Sequence, residues 1–192
     1  AMHRGNPNVA AAMAERALAE IAAIGGRLFE PLLVLALAYA QQGRTDEALV
    51  TLESVPAEGS DHPFTHAVSA LIYTAVGQPE VAIGHADAVT LAPGATYLDQ
   101  VFAYVAAAAA ALQMAEAAQA ELTAQAAVAR ALAVGDVVAI ALSTEIFHAV
   151  TGTVHPAHDG RTQLGEGWTT LVQLLVGKGS ASTPAPMAAA GE

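Results

Sequence analysis

His155 and His158 stand three residues apart, Asp159 follows directly, and His148 lies a little upstream. Imidazole nitrogens and a carboxylate are donors that zinc and nickel accept, so His155, His158 and Asp159 are the candidate metal ligands of this chain. No second ordered set is spaced to complete a coordination sphere. The group reads more simply as a polar loop, and no metal or other cofactor is expected. His62 and His66 could meet on one helical face around Pro63-Phe64-Thr65. His62 precedes the proline that opens the helix, so a solvated helix start is the expectation. Ser143 and His148 stand five apart on one helix, too far around it for a nucleophile to touch its base. Gly165-Glu166-Gly167 and Gly177-Lys178-Gly179 lack the remainder of a phosphate loop. Cysteine is absent, which excludes disulfides, thiolate zinc sites and cysteine nucleophiles. No arrangement of residues resembles an active site, and catalysis is not expected.

The elements that would have to position such residues are helices. The chain has 192 residues, 54% of them hydrophobic but only 5% aromatic. Alanine, the strongest helix former, is the largest single share of the apolar content, and strand-like runs are few. Net charge is −11, from 18 acids and 7 bases, and Lys178 is the only lysine. The bases are scattered singly, so direct binding of nucleic acid or of an anionic membrane is not expected. The longest apolar run, Val101 to Leu112, falls short of the ~20 residues of a spanning helix, so no membrane insertion is expected. The amino terminus lacks signal-peptide features, and a cytoplasmic location is expected. The abundance of Ala, Gly and Arg beside a single lysine matches the coding bias of a GC-rich bacterial genome.

Helix punctuation is clear. Asn6-Pro7-Asn8 opens a helix over about 8–24, which Gly25-Gly26 stops. Helices follow over about 29–42, 46–55, 63–76, 79–91, 97–112, 114–134 and 136–150. A short one over 164–176 carries Trp168, Leu171, Val172 and Leu175 on one face. Four parts result: residues 1–7 as a tag remnant or linker, 8–150 as a helical domain, 151–176 as a loop and capping helix, and 177–192 as a disordered tail.

Tyr39, Gly43, Ala48 and Val55 recur 34 residues later as Tyr73, Gly77, Ala82 and Val89. A fixed period means one structural unit repeated. After residue 94 the offset loosens to 35 or 36, depending on which alanine is matched. The first helix also falls into step, with Ala14, Leu18 and Ile21 lying 34 residues before Ala48, Leu52 and Val55. It therefore corresponds to the second helix of a preceding unit, and a longer parent polypeptide is expected.

The stretch Leu35-Ala36-Leu37-Ala38-Tyr39-Ala40-Gln41-Gln42-Gly43-Arg44-Thr45-Asp46-Glu47-Ala48-Leu49 resembles a tetratricopeptide repeat of actinobacterial type. Ala36, Tyr39, Gly43 and Ala48 take the family's small, aromatic, glycine and alanine positions, and Ala70, Tyr73, Gly77 and Ala82 take them again. The resemblance implies an all-α, right-handed superhelix of helical hairpins, about seven helices plus a short carboxy-terminal one. It also implies that the first helix of each unit lines a concave groove. The groove positions are Glu30, Leu33, Leu37, Ala40 and Gln41 in one unit and Phe64, Ala67, Leu71, Thr74 and Ala75 in the next. This set is mainly apolar and lacks the Lys, Arg and Asn with which some members grip a terminal carboxylate. It suits an amphipathic helix or hydrophobic strand, supplied by a partner or by another part of the chain.

The implied function is that of a non-catalytic scaffold for a protein or peptide, as a regulatory module of a larger bacterial protein. A small-molecule or metal-sensing domain beneath the loop 151–163 is the second reading, with convergent polar side chains expected there. A homo-oligomerisation module, such as a homodimer, is the third. The helix of Trp168 is expected to cap the open end of the stack, with folding back into the groove as its alternative.

Overall fold

The computed structural model describes residues 6–25, 28–158 and 164–177. The leader 1–5, Gly26, Asp159 and the tail from Lys178 lie outside them. Ten helices and no strand occur among the described residues: α1 (Pro7–Ala23), α2 (Glu30–Gln41), α3 (Thr45–Glu53), α4 (Ala57–Ser60), α5 (Pro63–Ala75), α6 (Pro79–Leu91), α7 (Tyr97–Gln113), α8 (Ala117–Val134), α9 (Val137–Thr151) and α10 (Glu166–Gly177). The count of about seven helices plus a short one implied by the resemblance is exceeded, whereas the eight segments and short helix read from the punctuation are all present. The one-turn α4 fills the stretch read as a loop, and eight longer helices precede α10.

Their ends follow local chemistry. The Asn6 side chain accepts a hydrogen bond from Val9 N at 3.2 Å, and Pro7 is the first residue of α1, not part of a linker. Thr96 and Asp99 form a reciprocal capping box at the start of α7. Asp136 accepts from Val138 N and Ala139 N, both at 2.9 Å, to open α9. Gly59 in α4 packs against Phe29 so closely that a Cβ there would clash with Cγ of the ring.

The helices pair in sequence. α2 packs on α3, α5 on α6, and α7 on α8, while each second helix also leans on the next first helix: α3 on α5, α6 on α7, α8 on α9. α1 rests on α2 in the same manner. The first helices lie side by side, α2 with α5, α5 with α7, and α7 with α9. Small residues mark the crossings: Ala36, Ala48, Ala70 and Ala82 are fully buried, as a close approach of backbones requires. Tyr39 and Tyr73 are half-buried, with the Tyr39 hydroxyl donating to Glu15 on α1 at 3.1 Å.

The third hairpin corrects the sequence register. Gly43 and Gly77 sit at φ of 78° and 77°, and beyond each the chain turns back to donate a hydrogen bond: Arg44 N to Tyr39 O and Gln78 N to Tyr73 O, both at 2.9 Å. Glu116 N donates to Ala111 O at the same distance, with Ala115 in the left-handed region at φ 61°. The true offset from the second hairpin is therefore 38 residues, not 35 or 36. It carries Ala70 to Ala108 and Ala82 to Ala120, both fully buried. The added residues are one extra turn at the start of α7, which has 17 residues against 13 in α5. An L-residue pays for the left-handed conformation. Ala115→Gly is therefore expected to stabilise the chain by about 0.5–1 kcal/mol, measured by urea denaturation. A loss of stability would mean that the turn is not strained.

Candidate functional site

The side of the stack on which α2, α5, α7 and α9 lie next to one another is covered by the chain itself. α10 lies against all four of these helices. The end-capping placement expected for α10 is therefore overturned in favour of its alternative. The physical reason is area: an apolar stripe gains in proportion to the apolar surface it covers, and this side offers four helix faces at once. Trp168, Leu171 and Leu175 of that stripe are buried, while Val172 at its margin is half-buried.

Of the groove residues expected from sequence, Leu33, Leu37, Gln41, Ala67, Leu71 and Thr74 are buried, as are Ala40 and Ala75. Phe64 is half-buried and Glu30 is exposed. Leu37 and Leu71 are fully buried, so a charge at either would damage the core as well as the groove. Gln41 is 1% exposed, and neither its Oε1 nor its Nε2 has a hydrogen-bond partner.

Two residues that carried no signal in the sequence hold α10 down. The Gln113 amide donates from Nε2 to Thr74 O at 3.0 Å and to Leu175 O at 2.7 Å. It thereby ties the last turn of α5 and the last turn of α10 to the end of α7, sharing the Thr74 carbonyl with Gly77 N. Gly167, which the sequence offered as part of an incomplete phosphate loop, permits a close approach. A Cβ there would stand 3.0 Å from Pro7 Cδ and 3.2 Å from Gln41 Cβ.

A cavity of about 170 Å³ remains at the seam between α10 and the stack. Its walls come from the first two turns of α5, α7, α9 and α10, where all but Ala139 are large side chains. Phe102 and Trp168 meet there with ring centroids 5.5 Å apart.

The histidines do not converge on a metal. His155 Nδ1 accepts from Ala157 N at 3.1 Å, and its ring stands edge-on to Phe147. His158 Nδ1 lies 3.3 Å from Thr144 Oγ1, and Asp159 falls outside the described residues. No group of three or more ligating side chains occurs among the described residues. The hollow beside this loop is lined by Leu132, Val137, Ile140, Ala141, Thr144, Ala157 and His158, so the described residues do not form the convergent polar cluster expected there. His62 caps α5 through Nδ1, which accepts from Phe64 N at 3.2 Å. His66 pairs instead with His85 on α6, the two Nδ1 atoms 2.9 Å apart and Tyr73 stacked on the His85 ring. Burial, aided by the charge of His66, lowers the pKa of His85. Ser143 Oγ is buried without a hydrogen-bond partner, whereas His148 is exposed. Among the described residues no helix is long and apolar enough to cross a membrane.

Comparison with protein-family models, with curated proteins and with solved structures returns no match to this chain.

Proposed function

We propose that this chain is a tetratricopeptide-like repeat module, wound as a right-handed superhelix, whose inner curve binds an amphipathic helix. α10 is the helix that it holds in the state described above. The observation that carries the reading is the seating of α10 across α2, α5, α7 and α9. An intramolecular helix with Trp, Leu and Leu anchors at i, i+3 and i+7 displays the chemistry that the curve accepts. A partner with the same stripe would compete with α10, and its apparent affinity would fall by the advantage that the tether gives to the resident helix. In this role the protein is a non-catalytic scaffold.

A cut chain tests the idea. A protease site placed within residues 159–163 and cleaved after folding leaves α10 held only by its contacts. Its expected behaviour is reversible exchange with a labelled peptide of residues 164–177, while the same peptide bearing Leu171→Glu fails to exchange. Should the cut α10 never leave under native conditions, it is a permanent part of the core and the groove is not a binding site.

A further inference from the structure

The cavity beside Trp168 has a size and a lining that select an occupant. Phe64, Leu98, Phe102, Val138, Leu142 and Trp168 surround it, with Ala139 at its base. The hollow is partly open to solvent, and its volume of about 170 Å³ is enough for one aromatic ring, since an engineered apolar cavity of ~150 Å³ takes up benzene. The lining side chains are apolar apart from the Trp168 indole N–H, so water held there gains few partners and an apolar molecule that displaces it gains contact. An unfilled hollow of this kind deprives its walls of dispersion contacts. Three aromatic rings among the walls offer both faces and edges to a further ring.

We infer that this cavity is a binding site for a single-ring apolar molecule of about the size of benzene, and that the molecule clamps α10 onto the stack. The second part follows from position. The walls belong to α5, α7, α9 and α10, so the full set of contacts exists only while α10 is seated. A ligand that binds only the seated state shifts the equilibrium toward it. The chain would thereby respond to a small apolar compound by holding its groove closed. The site itself stands on the position of α10 alone. Only that last consequence rests on the groove function proposed above.

Trp168 is the sole tryptophan of the chain and sits in the cavity wall, so its emission reports occupancy directly. Benzene titrated into the intact protein is expected to change that emission saturably and to raise Tm, whereas benzoate, of similar size but charged, does neither. Ala139→Leu places a side chain in the hollow and is expected to weaken the benzene response at least tenfold. Leu142→Ala enlarges the hollow instead, and indole is expected to raise the Tm of that variant more than that of the parent protein. A response to benzene that grows linearly without saturating, or that persists unchanged in Ala139→Leu, overturns the site. If Ala139→Leu does not fold, an equal indole effect on Leu142→Ala and on the parent overturns it. Neither result touches exchange of α10 in the cut chain.

Discussion

Leu171→Glu combined with Leu175→Glu is expected to release α10 from the inner curve. Both leucines are fully buried. Each contributes about 1.5–3 kcal/mol by burial, and a carboxylate in either place would meet no compensating charge in an apolar setting. Trp168 is the one other large side chain that α10 buries, and it cannot hold the helix against two such penalties. Stability to urea is expected to fall by about 4 kcal/mol or more, the size of a severe core substitution. The loss is bounded by what α10 contributes, since the paired helices keep their own contacts. Three signs should accompany it: a red shift of Trp168 emission, loss of amide protection in α10, and concentration-dependent self-association through the uncovered curve. Gln173→Glu, on the exposed side of the same helix, is the control and should stay within about 0.5 kcal/mol of the parent. A double variant with parental stability and a buried tryptophan would show that α10 is not seated by these residues.

The helix boundaries were legible because they depend on neighbours in sequence. Gly43, Gly77 and Gly135 take the left-handed conformation at helix ends, and Pro7, Pro63 and Pro79 stand in first turns where no amide partner is needed. The third repeat escaped for a reason equally physical. Its turn is made by Ala115, which leaves no glycine to mark it, and the alanine run of α7 offers a match at nearly any offset. The stripe on α10 was also readable, but its destination was not. The same three anchors would cover the end of a stack or its inside, and only the assembled helices determine which surface is larger. Gln113 and the His66–His85 pair belong to this class too. Their partners lie 39 and 62 residues away for Gln113, and 19 for the histidines, so no local pattern announces them. The candidate groove, by contrast, came from the resemblance to tetratricopeptide repeats, and most of its residues lie in the core. Glu30, at the edge, is the exposed exception.

Ala70→Leu with Ala108→Leu is expected to cost as much as the loss of α10, through the opposite error in volume. The 38-residue offset makes these positions equivalent, both are fully buried, and α5 lies directly against α7. Alanine at a crossing lets two helices approach until their backbones nearly touch, and three more carbons have no void to enter. Overpacking of this kind costs about 1–3 kcal/mol per site. Because the two helices are neighbours, the sites will couple: a displacement of α5 made by the first leucine alters the space available to the second. Urea denaturation of the single and double variants measures both the costs and the coupling. Ala118→Leu and Ala133→Leu, on exposed positions of α8, supply the contrast, since leucine is nearly as good a helix former as alanine. If the buried pair proved as harmless as the exposed pair, alanine would serve this chain only as a helix former. If the buried pair is costly and the exposed pair is not, each inner alanine is there for its size. The spacing between helices, and with it the curvature that receives α10, is then written in residues that carry no chemistry of their own.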